Sequence, residues 1–269
     1  MRIFVTSDLH ADFKENQELL RRLSDVAYQQ DALIVAGDVA DQLEIIRDTL
    51  SLLRAKFQRV FFMPGNHELW VRTDDCDSIQ KLENILGTCD AIGVDTRPAK
   101  IADTWIVPLF SWYDAVFDVE ADSDSSELQS WADFYFCKWP DELDDLSAFF
   151  LKMNESNIKS YDARVISFSH FLPRRDLLPT VEYLRFKSLP KVAGCAALDE
   201  QIRRLGSSIH VFGHSHITCD RVIDGVRYVQ HSLQYPKERT TSRFPIKMIW
   251  KTTSAPPLHE VVSYAQTAI

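Results

Sequence analysis

The sequence predicts an α/β fold in which a parallel sheet is covered by helices and joined by a second sheet layer, and three observations lead there. Short continuous apolar runs recur along the 269 residues and each stops at a polar cluster. Helical periodicity fills the intervals between the early runs, and later segments alternate as hairpins do.

In chain order the runs are "RIFVTS" from Arg2, "ALIVAG" from Ala32, "RVFFMPG" from Arg59, "ARVISFS" from Ala163 and "IHVFG" from Ile209. Each is short and apolar throughout, as a strand buried on both faces must be. Leu19, Leu20 and Leu23 form an apolar helical stripe after the first run, and Ile46, Leu50 and Leu53 form another on "LEIIRDTLSLLRAKF" after the second. The order is therefore βαβαβ. Downstream, "AKIADTWIVPLFSW" and "CDRVIDGVRYVQ" read as hairpins, the second turning at Asp224-Gly225.

The stretch from Tyr113 to Asp145 stands apart. It opens with acids (Asp114, Asp118, Glu120, Asp122, Asp124 and Glu127), turns aromatic at "WADFYFCKWP" and leads into a helix expected to begin near Asp141. The acids lack EF-hand spacing and read as a solvated loop. The aromatics either roof a cleft or pack onto the core. One domain is expected over residues 1–269, with a cap-like insertion near 113–145.

Composition narrows the function. No apolar run approaches the roughly 18 residues that cross a bilayer, and "MRIFVTSDLH" lacks the basic and apolar regions of a secretory signal. The five cysteines are odd in number, widely spaced and never paired as C-x-x-C, which suits a reducing cytoplasm. A formal net charge of -9, with no basic block interleaved with aromatics, argues against long nucleic acid. No membrane partner is expected either.

The polar clusters are "DLH" (8–10), "GDVAD" (37–41), "GNHE" (65–68), "SH" (169–170) and "GHSH" (213–216), all at carboxyl ends of predicted strands. Open α/β sheets gather their ligands there. Five of the eight histidines lie in these clusters: His10, His67, His170, His214 and His216. Gly37, Gly65 and Gly213 immediately precede a cluster, where a turn off a strand needs positive φ or close backbone approach. Carboxylates and imidazoles without cysteine suit Mn, Fe or Zn, and there are more of them than one ion would use. Strand alternation would put Asp8 and His10 on one side, facing one ion. On a turn after Gly213, His214 and His216 can diverge toward two ions. His210, His231 and His259 read as structural or exposed residues.

The five blocks, Asp8-Leu9-His10, Gly37-Asp38, Gly65-Asn66-His67-Glu68, His170 and Gly213-His214-Ser215-His216, resemble the calcineurin-like metallophosphoesterase superfamily, whose pattern is D-x-H, G-D-x-x, G-N-H-D/E, a lone H and G-H-x-H. They span residues 8–216, about four fifths of the chain. The resemblance implies two packed mixed β-sheets flanked by helices, a four-layer sandwich. It also implies a binuclear centre of Mn, Fe or Zn, with Asp8, His10 and His216 on one ion, Asn66, His170 and His214 on the other, and Asp38 bridging both. Two ions about 3.5 to 4 Å apart can share a hydroxide and clamp both attacking and leaving oxygens.

Beside Asn66, His67 is then placed to stabilise or protonate the leaving oxygen. In the family's protein phosphatases an acid three residues after the bridging aspartate pairs with this histidine, which points to Asp41. Those phosphatases continue with Arg-Gly, whereas this chain has Gln42-Leu43, so it departs from them at the arginine that grips phosphate. Arg174 and Arg175 read equally as replacement cations for the substrate and as exposed loop arginines. The expected function is a metal-dependent phosphatase acting on a small phosphomonoester. The alternatives are a phosphodiesterase on a cyclic nucleotide or other small diester, and a non-catalytic protein-binding scaffold, which the full set of ligand positions disfavours.

Overall fold

Along each early strand the apolar side chains divide between two faces, and that division builds the layers. The computed structural model describes residues 1–72, 76–118, 125–239 and 244–253. Strands β1 (Arg2–Thr6), β2 (Ala32–Ala36) and β3 (Arg59–Met63) run parallel, joined by helices α1 (Lys14–Arg21) and α2 (Leu43–Lys56). Helix α3 (Ser78–Ile92) follows, opened by an Asp77/Gln80 capping box and closed by Gly93 in the left-handed region.

The second sheet begins with the hairpin of β4 (Ala99–Ile101) and β5 (Thr104–Pro108). Next come the short helices α4 (Ser125–Gln129) and α5 (Asp133–Phe136), then α6 (Leu146–Met153). Helix α6 therefore starts later than the expected position near Asp141. Asp145 is its cap, accepting from the Ala148 N–H at 2.9 Å. After β6 (Arg164–Phe168), α7 (Ala197–Arg204) and β7 (Ser207–Phe212), β8 (Cys219–Ile223) and β9 (Val226–Gln230) form the second hairpin. Its turn takes φ 47° at Asp224 and φ 84° at Gly225, the two positive values that a primed two-residue turn requires. Strand β10 (Lys247–Lys251) returns to lie antiparallel to β1.

One sheet thus runs β10-β1-β2-β3 and the other β4-β5-β6-β7-β9-β8, with antiparallel strands only at edges. Between them Ile3, Val5, Ile34 and Phe61 meet Ile166, Phe168, Ile209 and Val211. On the outer face of the first sheet, Phe4, Val35 and Phe62 pack with Leu20, Leu50, Leu53 and Ile85 of the helices. On the outer face of the second, Val107, Val165 and Phe212 pack with Leu198 and Ile202. The result is the four-layer sandwich with two mixed sheets. Each fully buried aliphatic or aromatic side chain contributes about 1.5–3 kcal/mol, so the strands are fixed by what they bury and their carboxyl ends are held still. The sheets are stitched together at that end: Ser7 N–H donates to the His231 carbonyl at 3.1 Å, and Leu233 N–H donates back to the Ser7 carbonyl at 2.9 Å. No helix among the described residues is long and apolar enough to cross a membrane. Among the described residues no two cysteines form a disulfide.

Candidate metal centre

Strand β1 stops at Thr6, so Asp8 and His10 do not share a side through strand alternation as expected. Both lie on the loop beyond it with positive φ, 52° and 42°, and Asp38 (55°), His214 (72°) and His216 (58°) do the same. Left-handed backbone costs a non-glycine residue on the order of 1–3 kcal/mol and persists only where the surroundings enforce it. Here main-chain and carboxylate hydrogen bonds do the enforcing. Asp8 N–H donates to the Gly37 carbonyl at 2.9 Å and His10 N–H to the Asp38 carbonyl at 3.0 Å. His214 N–H donates to Asp8 Oδ1 at 2.8 Å, tying the second sheet's loop to the first sheet's.

Glycine makes room for this. Gly37 needs its φ of 82°, and a Cβ there would strike the His170 ring. Gly65 has an ordinary φ, but a Cβ would run into the Asp38 carboxylate and the same ring.

The loops bring three overlapping groups together: Asp8 with His10 and His216, His10 with Asp38 and His67, and Asp38 with His170 and His214. Within each group the ligand atoms all lie within 4.8 Å of one another. Asn66 Oδ1 joins the last group, 3.1 Å from His170 Nε2 and 3.2 Å from His214 Nδ1. His214 and His216 thus belong to different groups although one residue separates them.

The outer nitrogens of three imidazoles are engaged. His170 Nδ1 faces the Ala36 carbonyl at 2.9 Å, His214 Nε2 the Val192 carbonyl at 2.9 Å, and His216 Nδ1 the Glu238 carboxylate at 2.7 Å. Acceptors there hold the proton outward and turn each lone pair inward, as metal-ligating histidines require. Two further observations fit an ion. His10 Nε2 and His216 Nε2 face each other at 3.0 Å, and His10 Nδ1 is buried with no hydrogen-bond partner among the described residues.

The charges point the same way. Burial opposes ionisation of Asp8 and Asp38, yet His216 and His170 respectively hold their carboxyls well below the usual range. Burial likewise opposes protonation of those two imidazoles, but Asp38 keeps His170 up at about 9 and Asp8 keeps His216 up at about 10. His214 and His10 are pushed down by burial and by their cationic neighbours, His214 to about 3. Two buried carboxylates thus demand positive charge in a pocket of inward-facing nitrogens, a donor set suited to borderline divalent ions.

His67 stands at the edge of this assembly. Its Nε2 lies 3.9 Å from Asp38 Oδ2 and 3.2 Å from the Tyr235 hydroxyl, and its ring packs against Trp70 at 3.7 Å between centroids. The expected partner, Asp41, is engaged elsewhere. Its carboxylate takes Arg72 Nε at 2.5 Å, and Asp41 with burial raises neighbouring Asp12 to about 6, burial being the larger cause. The substrate cations are also elsewhere. Arg174 is held by Asp176 (2.8 Å), Asp224 (3.1 Å) and Asp199 (3.4 Å), while Arg175 meets Asp118 at 3.4 Å and the Pro179 carbonyl at 3.3 Å. Neither arginine is among the residues that line the cleft.

Residues outside the expected ligand set complete the surroundings. Fully buried Glu68 accepts from the N–H groups of Asp38, Val39, Ala40 and Gly65 at 2.6–3.1 Å, locking the two loops that present Asp38 and Asn66. Buried Asp133, from the 113–145 stretch, accepts from Asn66 Nδ2 (2.8 Å), Trp70 Nε1 (2.6 Å) and Trp131 Nε1 (2.8 Å). It thereby turns the Asn66 oxygen toward the histidines. Part of that stretch does roof the cleft, through Trp131 and Ala132, whereas Trp139 packs on Trp112 and Phe150. Glu120, Asp122 and Asp124 lie outside the described residues. Glu68 was visible within "GNHE"; Asp133, Tyr235 and Glu238 carried no signal in the sequence. The cleft above the centre measures about 640 Å³ and is walled by Trp70, Trp131, Tyr183, Phe186, Leu189 and Tyr235, with Arg185 and Lys237 as its cations.

Comparison with known proteins gives a consistent picture. The sequence profile of the family described as calcineurin-like phosphoesterase matches residues 1–218. The [acyl-carrier-protein] phosphodiesterase PptH of Mycobacterium tuberculosis is 28% identical over 259 residues, which is 88% of this chain and 78% of the relative. The crystal structure titled phosphopantetheinyl hydrolase PptH from the same organism superposes with a TM-score of 0.76 at 25% identity, covering 95% of this chain and 98% of that one. A putative 5'-nucleotidase from Staphylococcus aureus matches at a TM-score of 0.41 and 15% identity, covering 85% of this chain and 48% of that one.

Proposed function

This chain belongs to the calcineurin-like phosphoesterase family, and from that premise we propose that it is a metal-dependent phosphodiesterase cleaving a diester with a long organic arm. The specific candidate is the phosphopantetheinyl-bearing acyl carrier protein, the substrate class given by the names of its Mycobacterium tuberculosis relative. A small phosphomonoester was the expectation from sequence, and the observation that moves the reading to a diester is the placement of Arg174 and Arg175. A monoester dianion carries more charge than a diester and gains more from a guanidinium fork. Both arginines are engaged by carboxylates or a carbonyl away from the cleft. Arg185 and Lys237 do line the cleft, but both are exposed, where water and salt screen them.

In this reading Asp8, His10 and His216 would hold one ion, Asn66, His170 and His214 a second, and Asp38 both. Bound there, two divalent ions would supply Lewis acidity and a water made nucleophilic near neutral pH. The chain's own residues do the rest. Asp38 is pinned by the His67 N–H on Oδ1 at 3.1 Å, and Asn66 by Asp133. The aromatic walls exclude water and accept the organic arm. His67 presents Nε2 beside Asp38 to the leaving oxygen.

Manganese-loaded protein assayed on an aryl diester, the matching aryl monoester and a phosphopantetheinyl carrier protein tests the reading. We expect higher kcat/KM on the diester than on the monoester, and release of the arm detected by intact-protein mass. Monoester turnover exceeding diester turnover, with the carrier protein untouched, would overturn it.

A further inference from the structure

The segment Gln234–Glu238 lies beyond the residues matched by the family profile, yet it closes over the centre. Its backbone is pinned on both sides. Gln234 has φ 70°, its N–H donates to the Asp8 carbonyl at 3.1 Å and its Nε2 to the His216 carbonyl at 2.6 Å, while a Glu238 N–H bond to the Tyr235 carbonyl at 3.0 Å closes the turn. Between these anchors the Tyr235 ring stacks on His10, 4.0 Å between centroids with planes 23° apart, and meets Phe13 edge-on at 5.6 Å. A side chain held on two faces delivers its hydroxyl to one place. That place is 3.2 Å from His67 Nε2, the nitrogen that also lies 3.9 Å from Asp38 Oδ2.

From this geometry we propose that Tyr235 is the positioning residue for His67, in the role the sequence suggested for Asp41. The inference rests on the phosphodiesterase reading above. When the diester is hydrolysed, the P–O bond to the alcohol breaks and the leaving oxygen keeps the electron pair. It takes one proton from His67, which solvent restores, while the oxygen of the attacking water bonds to phosphorus and that water loses one proton to solvent. His67 must therefore stay in place with and without hydrogen on Nε2. A carboxylate only accepts, so it would hold the protonated nitrogen and release the bare one. A hydroxyl does both: it shares Nε2–H with the leaving oxygen until the proton transfers, then donates to the bare Nε2. Trp70 packed on the imidazole, at 3.7 Å between centroids, limits the remaining freedom of the ring to rotation, which the Tyr235 contact restrains.

The test exploits leaving-group chemistry, because a p-nitrophenolate departs without a proton and an alkoxide does not. Tyr235→Phe keeps the ring and its packing. In the manganese-loaded enzyme it should lower kcat about tenfold on a diester with an alkanol leaving group, and less than about twofold on one with a p-nitrophenyl leaving group, with KM little changed. In a His67→Ala background, itself slower by about 10²- to 10⁴-fold on the alkyl diester, Tyr235→Phe should add nothing, since its partner is gone. Equal losses on both leaving groups, or a full tenfold loss in the His67→Ala background, would overturn the role. A second readout needs no turnover: in the metal-free protein Tyr235→Phe should shift the His67 side-chain nitrogen resonances, and unmoved resonances overturn the contact. If the unmodified enzyme cleaves no diester while those resonances move, the phosphodiesterase reading falls and the Tyr235–His67 pairing stands.

Discussion

On one side of Asp38, His170 and His214 lean on main-chain carbonyls, those of Ala36 and Val192; on the other, His216 leans on the Glu238 side chain and His10 has a buried Nδ1 without a partner among the described residues. The first side rests on main chain, and its His170 part belongs to the sandwich itself. Ala36 ends β2, and His170 directly follows the β6 loop whose Ser169 N–H pairs with Val211 of β7. The second side depends on a segment laid across the cleft after β9. The Ala36 carbonyl, at a strand end, cannot move without unpairing the sheet, and the Val192 carbonyl is main chain of the single turn Leu189–Val192, whereas a glutamate side chain on a short turn can swing. The difference teaches that one half of the centre is preorganised by the fold and the other by side-chain contacts, so the two halves should respond differently to mutation.

Asp38→Asn breaks the comparison most completely, because Asp38 belongs to both sides. The amide loses the charge that His170 and His67 face, so we expect both halves to lose metal together and activity to fall by more than 10²-fold, beyond the 10–100-fold usual for residues behind a ligand. Metal analysis of the dialysed variant checks this; two retained ions would show that Asp38 is not shared.

Glu238→Gln sharpens the comparison by acting on one side only. Weakening the acceptor behind His216 should lower metal affinity by about 10- to 100-fold at the Asp8, His10 and His216 side and leave the other intact. Isothermal titration with manganese should then give one tight and one weak event. Two equally weakened events would mean that the halves are not independent. The smallest effect is expected from Arg174→Ala. Its acids are mostly exposed and each such pair is worth about 0–1 kcal/mol, so diester turnover should stay within about twofold and Tm fall slightly. A large loss of turnover would return Arg174 to the substrate site.

Reading residues in order went far with the frame. The five apolar runs are β1, β2, β3, β6 and β7, and both hairpins stand where turn chemistry put them, because local periodicity and Asp224-Gly225 act within a few residues. It went less far where a longer-range competitor decided the outcome. Asp41 was offered to His67 and went to Arg72. Arg174 was offered to phosphate and went to three acids. Asp8 and His10 share an ion-sized space through left-handed backbone that no alternation rule contains.

What the sequence by itself determined is the α/β frame, the end of the sheets at which polar residues collect, and the family, since the motif residues are chemically unusual and stand immediately after recognisable strands. What only the tertiary structure decided is which residues orient them. Tyr235 is 168 positions from His67, and Asp133 is 67 from Asn66. A tyrosine or an aspartate is an ordinary residue on any loop, and its hydrogen bond exists only where the folded chain sets donor and acceptor about 3 Å apart, a distance that packing fixes and spacing along the chain does not.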